Sequence, residues 1–280
     1  MLNNIKAFRR ILLPLLRMTS RDISIRHPYT PSVRLSLNSF KHKGYWYFGK
    51  RREEKTMNLF ARLIQPGAHV VEVGGHVGLI SIYFMSLVGS NGQVTVFEPG
   101  SNNLPYIRRN LIAANKLVAK TNLIEKAVSD YIGETRFFED PLTGQNNSAV
   151  PAFEGLKANA AAAFATATTS ERTVKLTTLD SEFKKSRVNF IKIDVEGYKK
   201  AVVYGAQEII ENQKPVIMVE IQADEEELFE FFADRGWVMF RETAEKISDA
   251  SQLRGNIFVL HKTAHALILK SIFHQEIGAP

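Results

Sequence analysis

The sequence has no cysteine. That absence excludes disulfides, thiolate metal sites and a cysteine nucleophile, and it removes any sign of an oxidising compartment. Long apolar runs are also missing: none approaches the roughly 20 residues that a membrane span requires. The start, MLNNIKAFRRILLPLLRMTS, places basic residues before a short apolar stretch, but Pro14 and Arg17 interrupt it and no small-residue cleavage site follows. It reads as no secretory signal, and a cytoplasmic location is the default. The G-x-G-x-x-G fingerprint of dinucleotide-binding folds is absent too, which weighs against an NAD-dependent oxidoreductase.

The 280 residues have room for one large domain with additions, and 45% hydrophobic with 23% charged residues is ordinary for a water-soluble globular chain. The net charge of +7 is unevenly placed. Residues 1–55 hold 13 Lys and Arg against three acids, whereas the remainder holds 23 against 26, a net of −3. The expected division is therefore a basic N-terminal extension (1–55), a main domain (56–262) and a C-terminal tail (263–280). With a net-acidic body no nucleic-acid partner is expected, since phosphate contacts dominate such affinity. Within the extension, Ile5, Phe8, Leu12 and Leu15 recur at helical spacing beside Lys6, Arg9 and Arg10. Such a helix either docks on the protein's own body or lies on the inner face of a membrane.

The periodicity predicts strand 69–73, helix 77–88, strand 93–97, helix 102–115 and strand 122–128, a βαβαβ order. Strand 190–193, helix 198–211, strand 216–221, helix 224–234 and strands 237–241 and 256–261 follow. The fold class is α/β: a Rossmann-like, doubly wound, mostly parallel sheet. Residues 131–180 break the pattern and read as a β-hairpin insertion, with the alanine tract ANAAAAFATATTS as a loop or lid.

In such sheets ligands sit at the carboxyl ends of the strands. Residues 69–80, HVVEVGGHVGLI, end an apolar strand in Glu72 and turn through Gly74, Gly75 and Gly78. A carboxylate there suits the sulfonium and ammonium of S-adenosylmethionine and would repel a pyrophosphate. Glu98 ends the second strand, where it can accept from ribose hydroxyls, with Pro99 against the adenine and Asn102 or Asn103 near by. Asp130 and Ser129 follow the third strand and suit an adenine amino group. Asp194 and Glu196, in NFIKIDVEGY, alternate with Ile193 and Val195; they point the same way if the strand continues, and would repel unless a cation or proton is shared. A methyl cation equivalent, a metal, a substrate ammonium or Lys192 would each relieve that.

Glu72 to Gly78, the FEP of 97–99, the NNS of 146–148, the TTLD of 177–180 and the KIDVEG of 192–197 together resemble the FkbM-type methyltransferase family, over roughly residues 65–222. The resemblance implies a class I methyltransferase that carries a methyl from S-adenosylmethionine, mostly to hydroxyl oxygens of sugars, glycans, lipid-linked glycans or secondary metabolites. Two positions depart from the family pattern. His76 stands where GANxG has Asn, and Lys199 where a Glu is common. For the proton of a poorly acidic hydroxyl, Asp194 is the first candidate as base or acceptor-orienting group, Glu196 the second and His76 the third. No metal is expected; the alternative is a divalent cation on Asp194 and Glu220, similar to catechol O-methyltransferases, and a chelator separates the two. A non-catalytic binding module that keeps the fold is the other reading left open.

Overall fold

The computed structural model describes residues 13–151, 169–222 and 225–274. The alanine tract, apart from Thr169 and Ser170, and most of the expected N-terminal amphipathic helix lie outside these residues.

Two short strands, β1 (Asp22–Arg26) and β2 (Arg34–Asn38), lead into helix α1 (Lys43–Phe48) and then α2 (Glu54–Leu63). The alternating core unit follows: β3 (His69–Val73), α3 (Leu79–Val88), β4 (Gln93–Phe97), α4 (Leu104–Ala113) and β5 (Lys120–Ile124). After β6 (Ala127–Val128), the long hairpin β7 (Gly133–Glu139) and β8 (Ser170–Thr177), and the single turn α5 (Leu179–Glu182), the chain returns to the main sheet. It does so through β9 (Phe190–Ile193), α6 (Lys199–Tyr204), α7 (Gln207–Gln213) and β10 (Val216–Ile221). Helix α8 (Glu226–Ala233), β11 (Trp237–Arg241), β12 (Lys246–Ile247), β13 (Gly255–His261) and α9 (Ala266–Phe273) close the fold.

The main sheet has eight strands in the order β12-β11-β13-β10-β9-β3-β4-β5. Its centre, β10-β9-β3-β4-β5, is parallel, and β13 joins antiparallel to β10. Strand order reverses between β3 and β9, so the crevice beyond their carboxyl ends is where this topology seats a ligand.

The sheet is covered on both faces, which is why its central strands read as continuous apolar runs. On one face Val70, Val94, Val96, Phe190, Met218 and Phe258 pack beneath α2, α3 and α4. There Phe60 meets Phe84 and Phe190 edge to face, with ring centroids 4.9 and 5.6 Å apart. On the other face Val71, Val73, Ile191, Ile193, Ile217 and Val219 pack beneath α6, α7 and α8.

The third strand differs from expectation. The main-sheet strand ends at Ile124, and residues 127–128 pair with β8 in a separate three-stranded sheet, β6-β8-β7. Alternation of apolar residues cannot distinguish one strand from two that change sheets. The predicted helix over 198–211 is likewise two, α6 and α7, separated at Gly205 and Ala206. A Cβ at Gly205 would stand 1.9 Å from the Ser129 carbonyl oxygen, so the chain passes too close there for an ordinary helical residue.

The extension is built into the body. Leu35 and Leu37 of β2 are fully buried in the core beneath the first sheet face, and Asn110 of α4 accepts from the Ser36 N–H and donates to its carbonyl. At the other end, α9 buries Leu269 and Phe273, the latter stacked 4.2 Å from Phe240.

Candidate active site

Strand register explains which side chains meet. In the parallel ladders Glu72 stands beside Val96 on one side and Lys192 on the other, and Lys192 stands beside Met218. Side chains alternate with period two, so Glu72, Lys192 and Glu220 emerge on one face of the sheet, the face that also carries the extension. Glu98 and Asp194 follow one step past their strand ends. All five line one cleft of about 230 Å³.

The floor is bare backbone. Gly74 has φ of 91°, and a Cβ there would lie 2.0 Å from the Asp194 carbonyl oxygen; a Cβ on Gly75 would lie 2.3 Å from the Val96 side chain. Both glycine N–H groups donate to the Phe97 carbonyl. The turn therefore needs glycine for close approach of two strand ends as well as for its curvature.

Glu98 is 4% exposed and held by three donors: the His76 N–H at 2.7 Å, the Gly100 N–H at 2.8 Å and the Asn103 amide at 3.2 Å. Burial pushes its carboxyl up to about 7 against these hydrogen bonds. Glu72 is buried with Ser81 donating to it, and burial raises it in spite of the nearby Lys192.

Lys192 is buried yet ionised. Its Nζ lies 3.4 Å from Glu72 and 3.0 Å from Asp194. Burial works to lower Lys192, but those two carboxylates outweigh it and hold the ammonium above its ordinary value. Lys192 thus neutralises Asp194, one of the two carboxylates whose repulsion the sequence posed, and Lys199 stands by the other. Burial likewise works to raise Asp194, and Lys192 with a hydrogen bond from Glu220 overcomes it, keeping the carboxyl well below the usual range. The Asp194 charge in turn lifts Glu220 to about 9, so this pair shares a proton.

Strand β9 stops at Ile193, so the strict alternation of Asp194 and Glu196 does not persist. Glu196 is fixed by the Gln222 amide, 2.9 and 3.1 Å from its two oxygens, and Lys199 stands 3.9 Å away. Burial raises Glu196 to about 7, with Lys199 pulling down and Asp194 pushing up. Among the described residues no group of three or more His, Cys, Asp or Glu has the arrangement of a metal site.

His76 lines the cleft with φ of 49°, a left-handed conformation in which Asn and His are both enriched, so the backbone admits His where the family pattern has Asn. Both ring nitrogens are engaged, Nδ1 with the Tyr45 hydroxyl at 2.9 Å and Nε2 with the Thr143 carbonyl at 3.2 Å. Burial lowers the ring to about 4, leaving it neutral.

The other expected residues are dispersed. Pro99 lines the cleft, whereas Gly78, Asn102, Ser129 and Asp130 do not. Gly78 caps α3, and Asn102 exchanges hydrogen bonds with Asn147 and bonds the Asp140 carbonyl. Ser129 is buried and donates to the exposed Asp130. The switch to the second sheet brings Lys126, Ala127 and Val128 to the cleft in place of Asp130. The NNS of 146–148 lines the cleft and fastens it, and the TTLD of 177–180 fastens a helix behind it. Ser148 donates to the Glu196 carbonyl at 2.7 Å, and Asp180 accepts from the Glu208 and Ile209 N–H groups of α7. Of the other cleft residues that sequence reasoning missed, Tyr45, Arg52 and Glu53 come from the extension, and Phe137, Gly144 and Gln145 from the hairpin and its loop.

The methyltransferase FkbM domain model matches residues 66–249, well over half of the chain. The chain belongs to the FkbM methyltransferase family. As a member it is a methyltransferase, and its cofactor is S-adenosylmethionine. Among solved structures it is similar to an FkbM methyltransferase from Methylobacillus flagellatus KT (11% identity, TM-score 0.45, 73% of this chain and 50% of that one). It is also similar to a Clostridium thermocellum protein described as an rRNA-methylase (14%, TM-score 0.44, 74% and 92%). A third is the O-methyltransferase from Bacillus cereus in complex with SAH (16%, TM-score 0.41, 75% and 80%). No curated protein matches the sequence. The cleft of this FkbM methyltransferase fits the cofactor: bare backbone at Gly74 and Gly75 leaves room for close approach, and Glu72, Glu98 and Asp194 offer carboxylates to cationic and hydroxyl groups.

Proposed function

We propose that this methyltransferase acts on a hydroxyl of a sugar, glycan, lipid-linked glycan or secondary metabolite, with Glu196 as proton acceptor and Asp194 as an orienting charge. The observation that carries this reading is the divergence of neighbouring carboxyls on one sheet end. Asp194 is held ionised and weakly basic, while Glu196 titrates near 7. Carboxyls pushed apart in this way divide into an electrostatic group and an acid–base group.

When bound, S-adenosylmethionine supplies a methyl group already activated on its sulfonium. What the chain must add is alignment and removal of the acceptor's proton. Glu196 suits that step because Gln222 fixes its carboxylate and its affinity for a proton is matched to neutral pH. Asp194 is too acidic to take a proton efficiently but would offer negative charge to a cationic group held in the cleft. His76 has both nitrogens committed. Glu98, and Glu72 behind it, belong to the cofactor end. The resemblance to enzymes that methylate hydroxyl oxygens supports the acceptor class.

The test separates binding from chemistry. By calorimetry the protein binds S-adenosylhomocysteine, Glu98→Ala weakens that binding by about tenfold or more, and Glu196→Gln leaves it nearly unchanged. Mass spectrometry of glycans and metabolites from cells with and without the protein identifies the acceptor by the gain of one methyl. On that acceptor Glu196→Gln loses about 10²–10⁴ in turnover. Absence of S-adenosylhomocysteine binding would sink the whole reading, and undiminished turnover in Glu196→Gln would remove its base.

A further inference from the structure

Residues 41–52, KHKGYWYFGKRR, contain five Lys or Arg and no acid. On this segment Trp46, Tyr47 and Phe48 stand in a row at 37%, 66% and 50% exposure. Singly exposed apolar residues are normal, but three consecutive large aromatics form a patch. The rings brace one another: Tyr47 meets Trp46 and Phe48 edge to face, at centroid distances of 6.3 and 4.9 Å. Trp46 spends its one donor on the Ser39 carbonyl, 2.8 Å away, which fixes the ring at the surface. Lys50 and Arg51, which follow the three aromatics in the chain, are exposed as well. The same short segment faces the cleft on its inner side, where Tyr45 bonds His76 and Arg52 stacks on the Tyr45 ring at 4.6 Å.

We infer that Trp46, Tyr47, Phe48, Lys50 and Arg51 form a docking surface for an anionic lipid bilayer, which seats the mouth of the cleft at a membrane. Amphipathic aromatic rings settle at the headgroup level, and Lys and Arg beside them are drawn to the negative surface potential. Charge distribution favours this partner over an uncharged glycan, which would use the rings but gives the exposed Lys50 and Arg51 no anion to meet. It also sets the orientation. The chain beyond residue 55 carries a net −3, so an anionic surface attracts this end and repels the rest. Because Tyr45 and Arg52 continue from the patch into the cleft wall, a hydroxyl carried on a lipid headgroup or lipid-linked glycan arrives next to Glu196. That last step rests on the hydroxyl-methylation reading, whereas the docking surface does not.

The experiment is co-sedimentation of the full chain with vesicles of phosphatidylcholine alone and of phosphatidylcholine mixed with phosphatidylglycerol. Binding is expected to the mixed vesicles, weakening with salt. Tyr47→Ser with Phe48→Ser, and separately Lys50→Gln with Arg51→Gln, each weaken it by about an order of magnitude. The four side chains are exposed, so both double variants keep the native thermal midpoint and S-adenosylhomocysteine affinity, which separates loss of docking from loss of fold or of cofactor binding. Trp46 gives a direct signal: its emission shifts to the blue on mixed vesicles, while Trp237, 3% exposed, stays silent. Failure of the native chain to sediment overturns the proposal, as does native-like sedimentation of either double variant. Retention on soluble glycan or nucleic acid without vesicle binding overturns it equally.

Discussion

The two banks of the cleft treat their carboxylates differently. On the β3–β4 bank Glu98 is surrounded by backbone and amide donors: the His76 and Gly100 N–H groups and the Asn103 amide. On the β9–β10 bank Asp194, Glu196 and Glu220 lean on one another and on two lysines, so their proton content depends on the neighbours. On the function proposed above, the bank fixed by backbone donors holds the ligand and the one fixed by mutual charge moves the proton. Lys192 joins them, with Glu72 on one side and Asp194 on the other.

Breaking that joint should have the largest effect. Lys192→Met leaves Glu72 uncompensated in the core and releases Asp194, and removal of one member of a buried ion pair costs about 3–5 kcal/mol. A large fall in the denaturant midpoint is expected, together with a rise in the proton affinity of Asp194. If the variant kept native stability, the banks would not be coupled through this lysine.

The pH dependence of stability sharpens the contrast on the proton-moving bank alone. Glu220 is raised to about 9 in the folded chain from an ordinary value of 4.5, so between pH 7 and 9 the native state keeps a proton that the unfolded state has released. The native form then binds more protons, and stability falls as pH rises through that window, by about 1–2 kcal/mol. Glu98 and Glu196, raised only to about 7, contribute their loss below it. Chemical denaturation at pH 7 and pH 9 measures the slope, and Glu220→Gln should flatten it.

Much of this arrangement was legible in the sequence because period-two alternation fixes a face. Glu72, Lys192 and Glu220 share that face once strands 69–73, 190–193 and 216–221 are recognised. Glu98 followed from its place just past the carboxyl end of strand 93–97. What alternation could not show was where a strand changes sheets, and so Asp130 was expected at the cleft where Lys126 to Val128 stand. Nor could it show that a segment some 20 residues before the first core strand returns over the glycine turn. Tyr45 and Arg52 reach the cleft because Leu35 and Leu37 bury β2 in the core beneath the face that carries the carboxylates, a tertiary contact with no local signature.

His76 tests the comparison where its effect is smallest. It belongs to the ligand-holding bank by position, since its N–H fixes Glu98, but imidazole is also a common base. The geometry assigns the ring to scaffolding: Nδ1 takes the Tyr45 hydroxyl and Nε2 the Thr143 carbonyl, so it ties the extension and the hairpin loop across the turn. Its ring, lowered to about 4, is a weak proton acceptor at neutral pH. His76→Asn keeps a residue at ease in the left-handed conformation and retains the backbone N–H to Glu98, losing the two ring hydrogen bonds, at about 1 kcal/mol each, and the ring's contacts with His42 and Tyr45. Turnover within a few-fold of native and slightly lower thermal stability are therefore expected, measured side by side with Glu196→Gln. A loss in His76→Asn as deep as that in Glu196→Gln, with S-adenosylhomocysteine affinity intact, would move the base to the other bank and erase the distinction between them.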